Sequence, residues 1–247
     1  MRSLEIALLP AEALVIDADC YVVIDALRAT TTMAVLFARG VRDVVAVDSI
    51  ETARQLAARD GRMLFGEVEG HAPDGFDHGN SPVEASSASV AGRSAVLFTT
   101  NGTQALCALA ESGAAVLAGS LTNAGALVEA LAEAEDVVIV CAGNEGGTRF
   151  AMEDFLTAGE IARLARDANP GIEIGDAARL AIAAASTGNL ERRFGQSRHG
   201  KVTIARGYGG DIEYAAKLNL SQAVPAMVEY GKGWARLTAL GEDEGAT

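Results

Sequence analysis

Val22-Val23-Ile24-Asp25-Ala26-Leu27-Arg28-Ala29-Thr30-Thr31-Thr32 joins a buried-strand pattern to a carboxylate, after which hydroxyls open a helix. A helix N-terminus offers unpaired backbone N–H groups and the positive end of a dipole. Arg28 adds a planar fork of donors, and Asp25 can hold a cation or attack phosphorus. Together these residues suit a metal-assisted phosphate site on the first crossover of an α/β sheet.

Working outward, short Val/Ala/Leu-rich runs alternate with Ala-rich helical stretches, as in crossover units around a mostly parallel sheet. Strands are expected at Leu4–Leu9, Tyr21–Asp25, Asp43–Val47, Met63–Gly66, Ala95–Thr99, Ala115–Ala118 and Val137–Cys141. Helices are expected at Thr32–Ala38, Ile50–Arg59, Gln104–Ser112, Ala124–Glu133, Glu153–Ala168, Ala177–Ser186, Asp211–Leu218 and Val224–Leu237. Beyond Asn169-Pro170-Gly171 only Lys201–Ala205 still reads as strand. The pattern predicts an α/β fold: three α/β/α layers, a mostly parallel or mixed sheet, and a helix-rich C-terminal third. Residues 1–240 read as one unit, with any division into two lobes falling near 145–175, and 241–247 as a frayed tail.

With 49% hydrophobic and 21% charged residues, the 247-residue chain has the composition of a globular protein with a large core. A net charge of −13 argues against nucleic-acid and anionic-membrane partners, so an anionic substrate needs a local positive site. The N-terminal apolar run is too short for a signal peptide and no segment has membrane-spanning length, which predicts a cytoplasmic protein. A homo-oligomer is compatible with this composition. Cys20, Cys107 and Cys141 lie in apolar surroundings without zinc-site spacing, as reduced core thiols do.

Parallel strands bring the residues past their carboxyl ends to one edge, where ligands bind. Five such ends carry small or hydroxylated residues: Asp25–Thr32, Gly66-Glu67, Thr99-Thr100-Asn101-Gly102-Thr103, Gly119-Ser120 with Asn123, and Cys141-Ala142-Gly143. Thr30, Thr31, Thr100, Asn101, Gly102, Thr103, Ser120 and Asn123 are the phosphate-binding candidates, although threonines and asparagines cap helices in most proteins. Asp48, three residues before Glu51, reads as a helix cap. The long Glu67–Pro82 segment has the character of a binding lid. Hard Mg²⁺ would suit its acids better than zinc, with Glu67 first and Asp77 second, while His71 and His78 read as polar loop residues. Glu153 complements a helix dipole. Asp154, Asp176 and Asp211 are secondary metal candidates, each with a helix-start reading of equal or greater weight. Arg192, Arg193, Arg198 and Lys201 form the one basic concentration.

Gly195–Lys201 has P-loop glycine and lysine spacing, but Val202 replaces the magnesium-binding hydroxyl and no strand precedes it. Arg198-His199-Gly200 lacks the preceding strand of histidine phosphatases. Asp25-Ala26-Leu27 lacks the second acid of haloacid dehalogenase-type phosphatases, and Gly143–Gly147 does not match the dinucleotide fingerprint.

In its ordered motifs the chain resembles the 2-phosphosulfolactate phosphatase family. The resemblance rests on Val23–Thr31, Gly66-Glu67, Gly75-Phe76-Asp77 with Gly79–Pro82, Thr99–Thr103, Gly119-Ser120 with Asn123, Cys141-Ala142-Gly143, and Glu153-Asp154 with Gly159. It implies a Mg²⁺-dependent hydrolase that converts 2-phospho-3-sulfolactate to 3-sulfolactate and phosphate, a step toward coenzyme M; the alternatives are a phosphatase for another small anionic phosphoester and a non-catalytic anion-binding module. Under that reading Glu67 and a further carboxylate hold Mg²⁺, the Thr30–Thr31 and Asn101–Thr103 amides cradle phosphate, and Arg28 stabilises its charge. Asp25 is left as either metal ligand or nucleophile. His78 departs from the apolar residue expected there, and Asn144–Ala151 is irregular.

Overall fold

In the computed structural model, which describes residues 1–241, the decisive run forms β2 (Cys20–Ile24), every residue of it buried, followed by α2 (Ala29–Ala38). The tail expected at 241–247 falls, after Gly241, outside the described residues. The other strands are β1 (Ser3–Ala7), β3 (Asp43–Val47), β4 (Met63–Gly66), β5 (Ser94–Phe98), β6 (Ala115–Gly119), β7 (Asp136–Cys141), β8 (Glu173–Ile174), β9 (Pro225–Gly231) and β10 (Trp234–Ala239). The other helices are α1 (Pro10–Ala13), α3 (Ile50–Asp60), α4 (Pro82–Ser87), α5 (Gly102–Leu109), α6 (Ala124–Ala130), α7 (Met152–Ala168), α8 (Asp176–Ala185), α9 (Leu190–Gln196), α10 (Arg198–Ala205) and α11 (Gly209–Ala215).

All ten strands share one mixed, mostly parallel sheet in the order β4-β5-β3-β10-β9-β6-β2-β7-β1-β8. Six of its pairings are parallel, and the β9–β10 hairpin joins the two parallel blocks through antiparallel pairings to β3 and β6. Alternate residues face opposite cores, as the two-residue strand period requires. Val22, Ile24, Leu117 and Ile139 pack with Leu127, Leu156 and Ile161 of α6 and α7. Val23, Val44, Leu97, Ala118 and Val140, drawn from both blocks, pack with Met33 and Leu36 of α2 and Leu106 and Leu109 of α5. One helical pair therefore touches both halves of the sheet, which brings loops from β2, β4 and β5 together. Val45, Val47, Val96 and Phe98 face outward with Ala53 of α3, completing the layers.

Three expectations are corrected. Val224–Leu237, expected as helix, is the hairpin: Ala235 and Leu237 are buried in alternation, and Gly233 at φ +77° serves the tight turn. Lys201–Ala205, expected as strand, lies in α10, whose N-cap Ser197 accepts the Gly200 N–H at 2.9 Å. The cap of α3 is Ser49, accepting from Thr52 N at 3.2 Å, rather than Asp48. Cys20 and Cys141 are buried free thiols, and burial pushes Cys20 up to about 12. Among the described residues no helix is long and apolar enough to cross a membrane.

Candidate active site

The turn after β2 is built by its own threonines. Thr30 Oγ1 accepts the Asp25 N–H and donates to the Asp25 carbonyl, both at 3.0 Å, and Thr31 Oγ1 donates to the Ala26 carbonyl at 2.9 Å. Both residues are fully buried, so their hydroxyls hold the turn rather than reach a ligand. What the turn presents is Asp25, whose Oδ2 accepts the Gly102 N–H from the start of α5 at 2.8 Å. Gly102 is required by that approach: a Cβ there would stand 2.6 Å from the Ala29 Cβ and 2.7 Å from Asp25 Oδ2.

Glu67, just past β4, closes the other side. Its Oε1 accepts the Thr100 N–H at 3.1 Å and the Thr100 hydroxyl at 2.8 Å, and its Oε2 accepts the Gly70 N–H at 2.7 Å. Asn101 Oδ1 accepts the Gly146 N–H at 3.0 Å. Asp25, Arg28, Glu67, Thr100, Asn101 and Gly102 thus come from three separate crossovers to one place. A narrow cleft is lined by Asp25, Leu27, Arg28, Glu67, Asn80, Asn101 and His199.

Behind Asp25, at the first turn of α7, lie Glu153 and Asp154, each 2% exposed. Asp154 is fully engaged: Oδ1 accepts the Ala26 N–H at 2.9 Å and Oδ2 the Gly143 N–H at 3.0 Å. Glu153 Oε2, by contrast, has no partner, and neither has Asn80 Oδ1 in the cleft wall. Thr157 Oγ1 is likewise without a partner, and buried polar oxygens are rarely left so. Burial pushes the Asp25 carboxyl up to about 7; the Ala29 and Gly102 N–H groups oppose this, and the charges of Glu67 and Glu153 add to it. Asp154 is held well above the ordinary carboxylate range by burial first, then by Asp25 and Glu153. Glu153 is raised by burial. Burial and like charges disfavour the ionised forms of these acids, and a nearby positive charge would favour them. Among the described residues no three His, Cys, Asp or Glu side chains converge closely enough to cage an ion by themselves. Mg²⁺ is ordinarily held by one or two carboxylates, with water and substrate oxygens completing its shell, and the residues here fit that mode.

Four candidates stand elsewhere. Asp77 is spent on the sheet edge, where its Oδ2 accepts the Leu64 N–H at 2.7 Å, and is exposed. Thr103 pairs with Thr99, accepting its N–H at 2.9 Å and donating to its carbonyl at 2.9 Å. Ser120 and Asn123 form a reciprocal cap, with Asn123 Oδ1 accepting the Ser120 N–H at 2.9 Å and Nδ2 donating to the Ala223 carbonyl at 3.0 Å. In each case a polar residue past a strand satisfies backbone instead of a ligand.

Neither His199 nor Asn80 is a site candidate from sequence: the Arg198-His199-Gly200 triplet lacks the strand of histidine phosphatases, and Asn80 enters only within the Gly79–Pro82 motif. His199 follows no strand and reaches the cleft from α10, where burial lowers its pKa and Glu67 opposes the shift. A histidine on a short capped helix carries no local mark of this placement.

The chain matches the family model described as 2-phosphosulpholactate phosphatase over residues 8–230. It is 38% identical over 228 residues to a Thermus thermophilus protein named as a probable 2-phosphosulfolactate phosphatase, covering 91% of this chain and 94% of that protein. The Thermotoga maritima protein of the same name is 38% identical over 84% of this chain and 88% of its own length. The corresponding Clostridium acetobutylicum protein is 35% identical over 83% and 87%.

Proposed function

The chain belongs to the 2-phosphosulfolactate phosphatase family, and from that premise we propose that it is a Mg²⁺-dependent enzyme cleaving the phosphate monoester of 2-phospho-3-sulfolactate to 3-sulfolactate. The observation that carries this reading is the meeting of Asp25, Glu67 and Arg28 at one cleft backed by buried acids, with the Thr100 and Gly102 N–H groups orienting the two carboxylates and the Thr103 N–H spent on Thr99 instead of cradling phosphate. The reading places the reaction in the cytoplasm, on the way to coenzyme M, without nucleic acid or membrane.

Asp25 and Glu67 would hold Mg²⁺, with the unpartnered Oε2 of Glu153 on the buried side of Asp25, and the ion would neutralise charge on the phosphoryl oxygens. Gly102 fixes the orientation of Asp25 through Oδ2. Arg28, 4% exposed, offers the N–H donors left over from its protein contacts to the phosphoryl group, where charge builds in the transition state. Thr100 and Gly70 fix both oxygens of Glu67, so this carboxylate is preorganised before substrate arrives.

Phosphate release from 2-phospho-3-sulfolactate, measured with Mg²⁺ and with chelator, tests the reading. Turnover that is lost on chelation and restored by Mg²⁺ is expected; undiminished release in chelator refutes the metal requirement. Comparison with non-sulfonated phosphoesters tests the substrate. An aspartyl-phosphate trapped on Asp25 assigns it as nucleophile, whereas solvent oxygen in the phosphate with no trapped intermediate assigns it to the cation.

A further inference from the structure

We propose that Asp211 is a positioning residue that aims Arg28 into the cleft, an inference that rests on the phosphate-binding reading of Arg28 above. Asp211 lies on α11, 183 positions from Arg28 in the chain, yet its Oδ2 accepts Arg28 Nη1–H at 2.7 Å. The two side chains are 2% and 4% exposed. The carboxylate is itself fixed: Ser81 Oγ donates to Oδ1 at 2.6 Å, and the Asp211 N–H is tied to the Tyr208 carbonyl at 3.0 Å.

Two further constraints act on the guanidinium. Its Cζ lies 4.5 Å from the Tyr208 ring centroid, as in a cation–π contact. Arg28 Nη2 donates to the Gly70 carbonyl at 3.1 Å. The same Gly70 gives its N–H to Glu67, so one residue links the cationic and anionic walls of the cleft.

An arginine stem has several rotatable bonds, and a planar fork works only when its plane is set. A buried ion pair is weak grounds for stability, because desolvating two charges offsets their attraction. Here Arg28 lines the cleft while protein donors engage both oxygens of Asp211. The C-terminal helices thereby reach the chemistry through a side chain that does not touch substrate.

The test is a cycle of Arg28→Ala, Asp211→Asn and the double variant, each checked for folding by circular dichroism. Steady-state kinetics and calorimetric binding of inorganic phosphate are the readouts. Arg28→Ala is expected to lower kcat by about 10²–10³-fold. Asp211→Asn is expected to lower kcat and phosphate affinity by about 10–100-fold, while adding little in the Arg28→Ala background, because residues acting as a unit are non-additive. Ser81→Ala, which leaves the ion pair in place, gives a smaller loss of the same kind. Equal fold losses from Asp211→Asn in both backgrounds, or unchanged kcat and phosphate binding, overturn the inference. Phosphate binding decides it without turnover, so a wild-type protein that binds phosphate through Arg28 but hydrolyses nothing refutes the phosphatase reading alone.

Discussion

Replacing Asp25 by Asn makes the stability of the metal-free protein respond to pH in a calculable way. The carboxyl is raised from its ordinary 3.8 to about 7, chiefly by burial. Between those values the native state binds a proton that the unfolded chain does not, so this group's contribution to stability is full below about pH 4 and is lost as pH rises through 7. At about pH 5 the native state retains about two pK units of this advantage, and at about pH 8 none, a swing of about 3 kcal/mol at about 1.4 kcal/mol per unit. The Asn variant cannot titrate. It also offsets any gain by placing an amide where the Ala29 and Gly102 N–H groups face oxygen, at about 1–2 kcal/mol independent of pH. Relative to wild type, the variant is therefore expected to be less stable at about pH 5 and to gain about 3 kcal/mol by about pH 8. For a chain of this size that is a relative Tm change of roughly 6–12 °C. Thermal unfolding in chelator across that range measures it. Mg²⁺ should abolish the wild-type deficit at high pH by favouring the ionised carboxyl. A wild-type-to-variant Tm difference independent of pH in chelator refutes the burial argument and, with it, the call for a cation beside Asp25.

Gly102→Ala places a methyl against Ala29 and Asp25 Oδ2 and is expected to cost about 1–3 kcal/mol in denaturant unfolding, together with most of kcat. Retained activity would show that the Gly102–Asp25 contact is dispensable. Glu67→Gln keeps the shape but puts an amide donor against either Gly70 or Thr100, so a rise of about tenfold in the Mg²⁺ concentration giving half-maximal rate is expected. Asp77→Ala is expected to lose about 1 kcal/mol with the Leu64 bond and to leave that Mg²⁺ dependence unaltered. Leu237→Ala, at a fully buried hairpin position, should cost about 2–5 kcal/mol, a loss that a surface helix would not show.

The β2 run, the alternation of strands and helices, and the concentration of acids and small residues past strand ends were legible because they are local. A buried parallel strand must be apolar, and a backbone that approaches a carboxylate must be small, as Gly102 is. The C-terminal hairpin was misread because Val224–Leu237 has the apolar content of either element; its two-residue alternation at Trp234–Thr238 and the glycines of its turn were the available signals. Which polar residues are spent on backbone was decided by space. Thr30, Thr103, Ser120 and Asn123 look as suitable as Thr100 in one dimension, yet the packed chain spends their hydroxyls and amides on backbone. The composition and order of residues determined the layers, the position of Asp25 and Glu67 at strand ends, and the family. Tertiary structure alone decided that the Arg28 fork is held by Asp211 and that His199 and Asn80 share its cleft, because contacts between residues more than fifty positions apart depend on how the helices pack on the sheet.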